Sequence, residues 1–153
     1  MWRSIFSVLA GMVVAMIVVG VLEVVGHLVF PPPPGIDLHD PQQLQAIMDQ
    51  LPLGALLSVL VAWGGGIFAG GCVAAMLART NQLTHALIVG GVQMLAGIVS
   101  MILIPHPFWF IVASLAIVVP CAWLGARVAA AFSPPPPTAG PRPYDMREKN
   151  MAC

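Results

Sequence analysis

A charge-free apolar run with a small residue at every fourth position is the feature that most constrains how this chain can fold. The run extends from Gly54 to Ala78, and no charged residue lies between Asp49 and Arg79. A bilayer requires a long apolar segment whose backbone hydrogen bonds are made internally, so the run predicts a transmembrane helix. Small residues four apart let helix backbones approach closely in lipid, and we expect the other apolar segments to pack against this line. Its members are Gly54, Ser58, Ala62, Gly66, Gly70, Ala74 and Ala78.

The composition favours a protein whose main environment is the lipid bilayer. Of 153 residues, 59% are hydrophobic and only 8% are charged, and the mean hydropathy is +0.92. A soluble domain has about 25% charged residues. The formal net charge is zero, so no overall field favours nucleic acid as a partner. The three cysteines are scattered along the chain, which predicts reduced, packing cysteines and no disulfide framework.

The apolar runs predict an all-α fold class, a polytopic membrane protein with four transmembrane helices. The domain occupies residues 1–132. The aromatic residues that begin the fourth span, Phe108, Trp109 and Phe110, predict an interfacial aromatic belt. The predicted spans are residues 5–30, 53–78, 83–104 and 108–132.

Two further segments lie outside the spans. Asp40, Pro41 and Gln43 are typical of a helix start, and apolar residues recur at helical spacing after them, which predicts a short amphipathic extracytoplasmic helix over residues 41–51. Residues 133–153 are proline-rich and poor in apolar side chains. They predict an extended cytoplasmic tail.

The distribution of charge predicts the orientation in the membrane. With four spans, all six basic residues fall on the side of the two chain ends, whereas the loop over residues 31–52 carries only acidic charge. The excess of Lys and Arg on cytoplasmic segments then places both termini in the cytoplasm. The basic residues are Arg3, Arg79, Arg127, Arg142, Arg147 and Lys149.

Ionisable and polar residues within the spans are candidates for chemistry. Glu23 and His27 are four residues apart on the first helix and so share one face. With Gln93 and His106 they form a candidate proton or cation site near the outer surface, because an intramembrane ionisable group usually faces the bundle interior or a wet cavity. The histidine and aspartates of the outer loop could add ligands for Zn or Cu, and whether a metal binds is left open.

The alternative interpretation of the same residues is structural. A carboxyl group hydrogen-bonded to His27, with Gln93 nearby, would fix helix packing and carry no flux. Under either interpretation we predict that Glu23 is buried and that its side chain hydrogen-bonds to His27 or to a neighbouring helix.

The sequence offers no set of nucleophile, base and orienting group, and we predict a non-enzymatic protein without a cofactor. The small-residue line favours a small subunit or accessory protein that acts through helix–helix packing, with other membrane-protein subunits or a second copy as partner. The alternative function is a small transporter or proton or cation conductor that uses Glu23 and His27.

Several short segments of the chain carry a resemblance to known proteins. They are 23–27 (EVVGH) with the prolines that follow, 51–54 (LPLG), 85–91 (HALIVGG), 105–109 (PHPFW) and 122–127 (AWLGAR). With these segments, roughly the first 130 residues resemble small four-helix proteins of the bacterial inner membrane whose function is unassigned. The resemblance implies a location in the bacterial cytoplasmic membrane and brings no activity or catalytic residue with it.

Overall fold

The structure is a computed structural model in which four long helices account for nearly all of the described residues. It describes residues 2–31, 34–35, 40, 42–43, 46, 51–104 and 106–133. The helices are α1 (Trp2–Val29), α2 (Leu53–Ala78), α3 (Gln82–Leu103) and α4 (Phe108–Ala131). Each is long and apolar enough to cross a membrane, and no strand occurs in this part of the chain. The predicted all-α architecture with four apolar helices is thereby confirmed.

Most of the predicted amphipathic segment, and the tail after Ser133, lie outside the described residues. At the start of that segment the Asp40 carboxylate accepts hydrogen bonds from the Gln42 backbone N–H at 2.9 Å and from the Gln43 side-chain amide at 3.0 Å. These bonds stabilise the ionised carboxyl group and hold the pKa of Asp40 below its ordinary value. The acceptor geometry agrees with the helix start expected at Asp40.

The three most extensive helix pairings all include α2, which packs against α1, α4 and α3 in that order of extent. At one end of the bundle the Arg3 guanidinium donates to the Leu77 carbonyl oxygen at 3.0 Å. This carbonyl belongs to the last turn of α2, where backbone acceptors lack helical partners. The contact lies within the first turn of α1, which includes Trp2 and so extends three residues before the predicted start at Ile5.

The turn between α2 and α3 is tight and uses two left-handed residues. Arg79 has φ 61° and Asn81 has φ 49°, and the Arg79 N–H donates to the Ala75 carbonyl. Asn adopts this conformation more readily than other non-glycine residues. The short turn makes α2 and α3 an antiparallel pair.

The α1–α2 interface is a contact between backbones. A Cβ atom placed on Gly70 would lie 2.5 Å from the Gly11 carbonyl oxygen and 2.7 Å from the Ala15 Cβ atom. A Cβ atom on Gly66 would lie 3.0 Å from the Ala15 carbonyl oxygen and would overlap the Val19 side chain. The small-residue line of α2 thus provides the surface on which α1 lies.

The core is built mainly from alanine and glycine. Among the described residues, the largest side chains that are fully buried are those of Phe110, Val89 and Ser7. Many larger apolar side chains are exposed on all four helices, a distribution that fits a multi-pass membrane protein. Close helix contact is therefore achieved with small residues, and bulky ones point outward.

Two glycine-to-alanine substitutions test the importance of the backbone contact. Gly70→Ala should lower the free energy of unfolding by about 1–3 kcal/mol, because the new methyl group overlaps α1. Gly91→Ala is the matched control, since a Cβ atom there meets nothing within 4 Å and alanine favours the helix. Thermal unfolding in mild detergent measures both; equal midpoints for the two variants would show that the α1–α2 contact does not limit stability.

Candidate functional site

The buried face of α1 departs from the line of residues that contains Glu23 and His27. Ser7, Gly11, Ala15 and Gly26 are buried. Each step of four residues turns about 40° beyond a full helical turn. Five such steps from Ser7 therefore reach His27 about 200° around the helix, on nearly the opposite side.

The contact face returns to α2 through a three-residue step. Val19 contacts Gly66, Leu22 contacts Gly65, and Gly26 contacts the Ser58 side chain. The step from residue 19 to residue 22 offsets the rotation that steps of four accumulate. Gly26, and not His27, therefore continues the face that packs on α2.

The structure places Glu23 at the edge of this interface, where it is half-buried, and His27 on the exposed side. The predicted burial of Glu23 is wrong, for the rotational reason just given. Within the described part of the chain, no hydrogen bond joins Glu23 to His27 or to another helix. The pair is thus presented outward from α1.

Glu23 and His27 share their exposed face with Gly20 and Val24, at positions i, i+3, i+4 and i+7. We call these four residues the α1 outer face. A Cβ atom on Gly20 would meet nothing within 4 Å, and Val24 is 59% exposed. Gly20, Val24 and His27 are thus exposed, and the described helices cover this surface only in part, at Glu23.

Gln93 is placed between other helices. It is half-buried and lines a narrow crevice of about 10 Å³ between α2, α3 and α4, together with Trp63 and Ser114. That volume is at the lower limit for a single water molecule. The structure thus puts Gln93 in a crevice whose lining does not include Glu23.

His106 occupies the turn between α3 and α4. Its Nδ1 lies 2.6 Å from the Ile104 carbonyl oxygen, and because a carbonyl only accepts, Nδ1 carries the proton. The imidazole ring stacks on Phe110 with centroids 4.9 Å apart and planes 20° from parallel. Hydrogen bond and stacking together anchor the ring against α4.

The four candidate residues therefore do not converge. Glu23 and His27 lie on α1, Gln93 lies in the α2–α3–α4 crevice, and His106 packs on α4. Among the described residues, no three His, Cys, Asp or Glu side chains could hold one metal ion. Of the loop residues considered as additional ligands, His39 and Asp37 lie outside the described residues, and the Asp40 carboxylate accepts hydrogen bonds from Gln42 and Gln43.

The hydroxyl groups of the bundle are satisfied within their own helices. Ser7 donates to the Ser4 carbonyl, Ser58 to Ala55 and Ser114 to Phe110. Every buried side-chain nitrogen or oxygen atom in the described residues has a hydrogen-bond partner. The fully buried polar atoms therefore already have partners within the chain, and Gln93 lies half-buried in its crevice.

The aromatic residues at the start of α4 divide between core and surface. Phe108 is 80% exposed, whereas Phe110 is fully buried and contacts Trp63 edge-on at a centroid distance of 5.8 Å. Assignment of all three aromatic residues to an interfacial belt is wrong for Phe110. Phe110 points about 200° around the helix from Phe108, which directs its ring toward Trp63 in the bundle.

Matched phenylalanine substitutions test this division. Phe110→Ala should destabilise the bundle by about 3 kcal/mol, because it empties a fully packed position and removes the surface on which His106 stacks. Phe108→Ala, the same chemical change at an exposed position, should have a much smaller effect. Equilibrium unfolding in detergent gives the change in the free energy of unfolding for each variant. Equal changes would show that Phe110 does not belong to the core.

Comparison with protein-family models, curated proteins and solved structures gives no match. The resemblance to four-helix inner-membrane proteins therefore stays a prediction. The α1 outer face is the feature of the molecule that bears on function. Two of its members, Gly20 and Val24, were missed at the sequence level, although their spacing from Glu23 and His27 could have identified them.

Proposed function

We propose that the protein is a non-enzymatic, multi-pass membrane subunit that assembles with a different membrane protein through the α1 outer face. The observation that carries this proposal is the placement of Glu23, half-buried, and His27, exposed, on an apolar helix surface that the described helices cover only in part. The bacterial cytoplasmic membrane, with both chain ends on the cytoplasmic side, is part of the proposal.

The position of Glu23 along the helix makes an uncovered carboxyl group costly. It lies six residues before Val29, the last residue of α1, which is roughly 9 Å along the helix axis. An ionisable side chain at that depth is stabilised by pairing with another polar group and disfavoured against acyl chains. A helix that covers the face and supplies a hydrogen-bonding group removes this cost.

Gly20 supplies the point of close approach. The small-residue line of α2 is already occupied by α1, at Gly66 and Gly70, so it does not remain free for a partner. Gly20 is uncovered and lies one turn from Glu23. A partner helix that crosses α1 at Gly20 can bring its backbone near and place a side chain against the carboxyl group.

The chemistry of the face favours a different subunit over a second copy. Two copies with the same orientation, crossing at Gly20, would bring Glu23 near Glu23 and His27 near His27. Like groups at one site disfavour their own ionisation and do not complement each other. The fitting partner is a transmembrane helix with a small residue at the crossing and a Ser, Thr, Asn, Gln or His side chain opposite Glu23.

The conductor alternative receives less support from the geometry. A proton or cation path requires polar groups in sequence, and Gln93 and His106 are directed to other parts of the bundle than Glu23. We therefore propose assembly as the function.

Site-specific crosslinking tests the proposed assembly. A photoreactive phenylalanine at residue 20 or 24 should form one discrete protein adduct in native membranes. The same probe at Val119 of α4 or Val99 of α3, which are 63% and 55% exposed, is the matched control and should give none. Adducts at all four positions, or an adduct made only of two copies of this chain, would contradict a specific partner on α1.

The variant Glu23→Leu separates assembly from folding. Because Glu23 has no described hydrogen bond within the chain, the substitution should leave the thermal stability of the purified protein unchanged. The adduct at residue 20 should fall by roughly tenfold, which corresponds to about 1.4 kcal/mol of lost interaction. Val21→Leu, at another exposed position of α1, is the control; a full adduct with Glu23→Leu would exclude the carboxyl group as a binding determinant.

The proposed orientation has its own test. The described basic residues Arg3, Arg79 and Arg127 lie at helix ends on one side of the bundle, and the excess of basic residues on cytoplasmic segments assigns that side to the cytoplasm. With the native cysteines replaced, a membrane-impermeant maleimide should label the Asp40→Cys variant in spheroplasts, in which the cytoplasmic membrane is intact and its outer surface is accessible. The Ser133→Cys variant should react only after the membrane is permeabilised. The reverse labelling pattern would show that the protein has the opposite orientation.

A further inference from the structure

A groove with an arginine at its rim lies between the first turn of α3 and the last turns of α4. It has a volume of about 170 Å³. The wall is apolar and the rim is polar, a combination found where a ligand has both a charged group and a hydrocarbon part. We call it the Arg127 groove, and its lining residues are Gln82, Leu83, Trp123, Ala126, Arg127 and Ala130.

The guanidinium group of Arg127 is held in place but has free hydrogen-bonding capacity. Its central carbon atom lies over the Trp123 ring, 4.8 Å from the ring centroid. The Trp123 indole has no conventional hydrogen-bond acceptor, so this contact leaves the guanidinium N–H donors available for an anion. Among the described residues, no carboxylate pairs with Arg127 and no acceptor takes a hydrogen bond from it, whereas the Arg3 Nε donates to the Leu77 carbonyl oxygen.

The opposite rim of the groove is also a source of donors. α3 begins at Gln82 with no side-chain hydrogen bond capping its first turn, so the first backbone N–H groups of the helix have no acceptor within it. The Gln82 side-chain amide donates to the Ser133 hydroxyl at 2.6 Å, which ties the start of α3 to the end of α4. The two rims are thereby held at a fixed separation.

We propose that the Arg127 groove binds the phosphate group of a membrane phospholipid. The phosphate oxygens accept from the Arg127 guanidinium, a pairing that is charge-assisted and can be bidentate. The glycerol and acyl part lies along Leu83, Ala126 and Ala130. The groove is at a helix end, the level at which headgroups meet the protein, and basic pockets between transmembrane helices are suited to anionic headgroups.

Native mass spectrometry of the detergent-purified full chain tests the proposal. The probes are dioleoylphosphatidylglycerol, the matching diacylglycerol without phosphate, and glycerol 3-phosphate without acyl chains. Phosphatidylglycerol should remain bound and raise the thermal midpoint, and diacylglycerol should do neither. Equal retention of diacylglycerol would overturn the role of phosphate, and equal stabilisation by glycerol 3-phosphate would overturn the lipid as its source.

Substitutions locate the bound lipid. Arg127→Gln should lower the phosphatidylglycerol occupancy by roughly tenfold, the loss expected for one charged hydrogen-bonding group. Arg127→Lys, which keeps the charge but not the planar fork, should give an intermediate value. Arg79→Gln removes an exposed arginine outside the groove and is the matched control; equal loss in Arg79→Gln and Arg127→Gln would show a diffuse charge effect and no site.

Discussion

The approach of the α1 backbone to the α2 backbone is the interaction on which the rest of the structure depends. The Gly11 carbonyl lies against Gly70, and Ala15 lies between Gly66 and Gly70. At the two ends the same pairing is closed by Arg3 on the Leu77 carbonyl and by the Phe30 ring against Gly54. α1 has much less contact with the other helices than with α2. Its position therefore depends mainly on backbone atoms at the glycines of this interface.

The other helices join α2 by variations of the same contact. A Cβ atom on Gly125 of α4 would lie 2.6 Å from the Phe68 carbonyl oxygen, another backbone contact. Between α2 and α3 the partner of a glycine is an aromatic ring, since a Cβ atom on Gly97 would lie 3.0 Å from the Trp63 side chain. Dispersion between closely fitted surfaces can hold helices together where water contributes no hydrophobic drive.

The sequence predicted the helices well because length and apolar composition are local properties. The four helices could be predicted from the rule that an apolar segment in lipid must make its backbone hydrogen bonds internally. The direction of individual side chains was harder to predict, because it depends on accumulated rotation. A line drawn in steps of four from Ser7 leads to His27, yet the real interface takes one step of three and reaches Gly26. Phe110 illustrates the same limit, since composition places it in a belt and its angle places it in the core.

The central position of α2 has a consequence for how the protein is made. α1 precedes its main packing partner in the chain, and α2 is complete only at Ala78. At the usual rate of synthesis, about 5–20 residues per second, α1 precedes the completed α2 by an interval on the order of seconds, and until then Gly11 and Ala15 lack their contacts with α2. During that interval it has nothing in its own chain to recognise. The arrival of α2 then creates the backbone contact of the hairpin, and α3 completes the cluster when Val89 packs against Gly11 and Ala15.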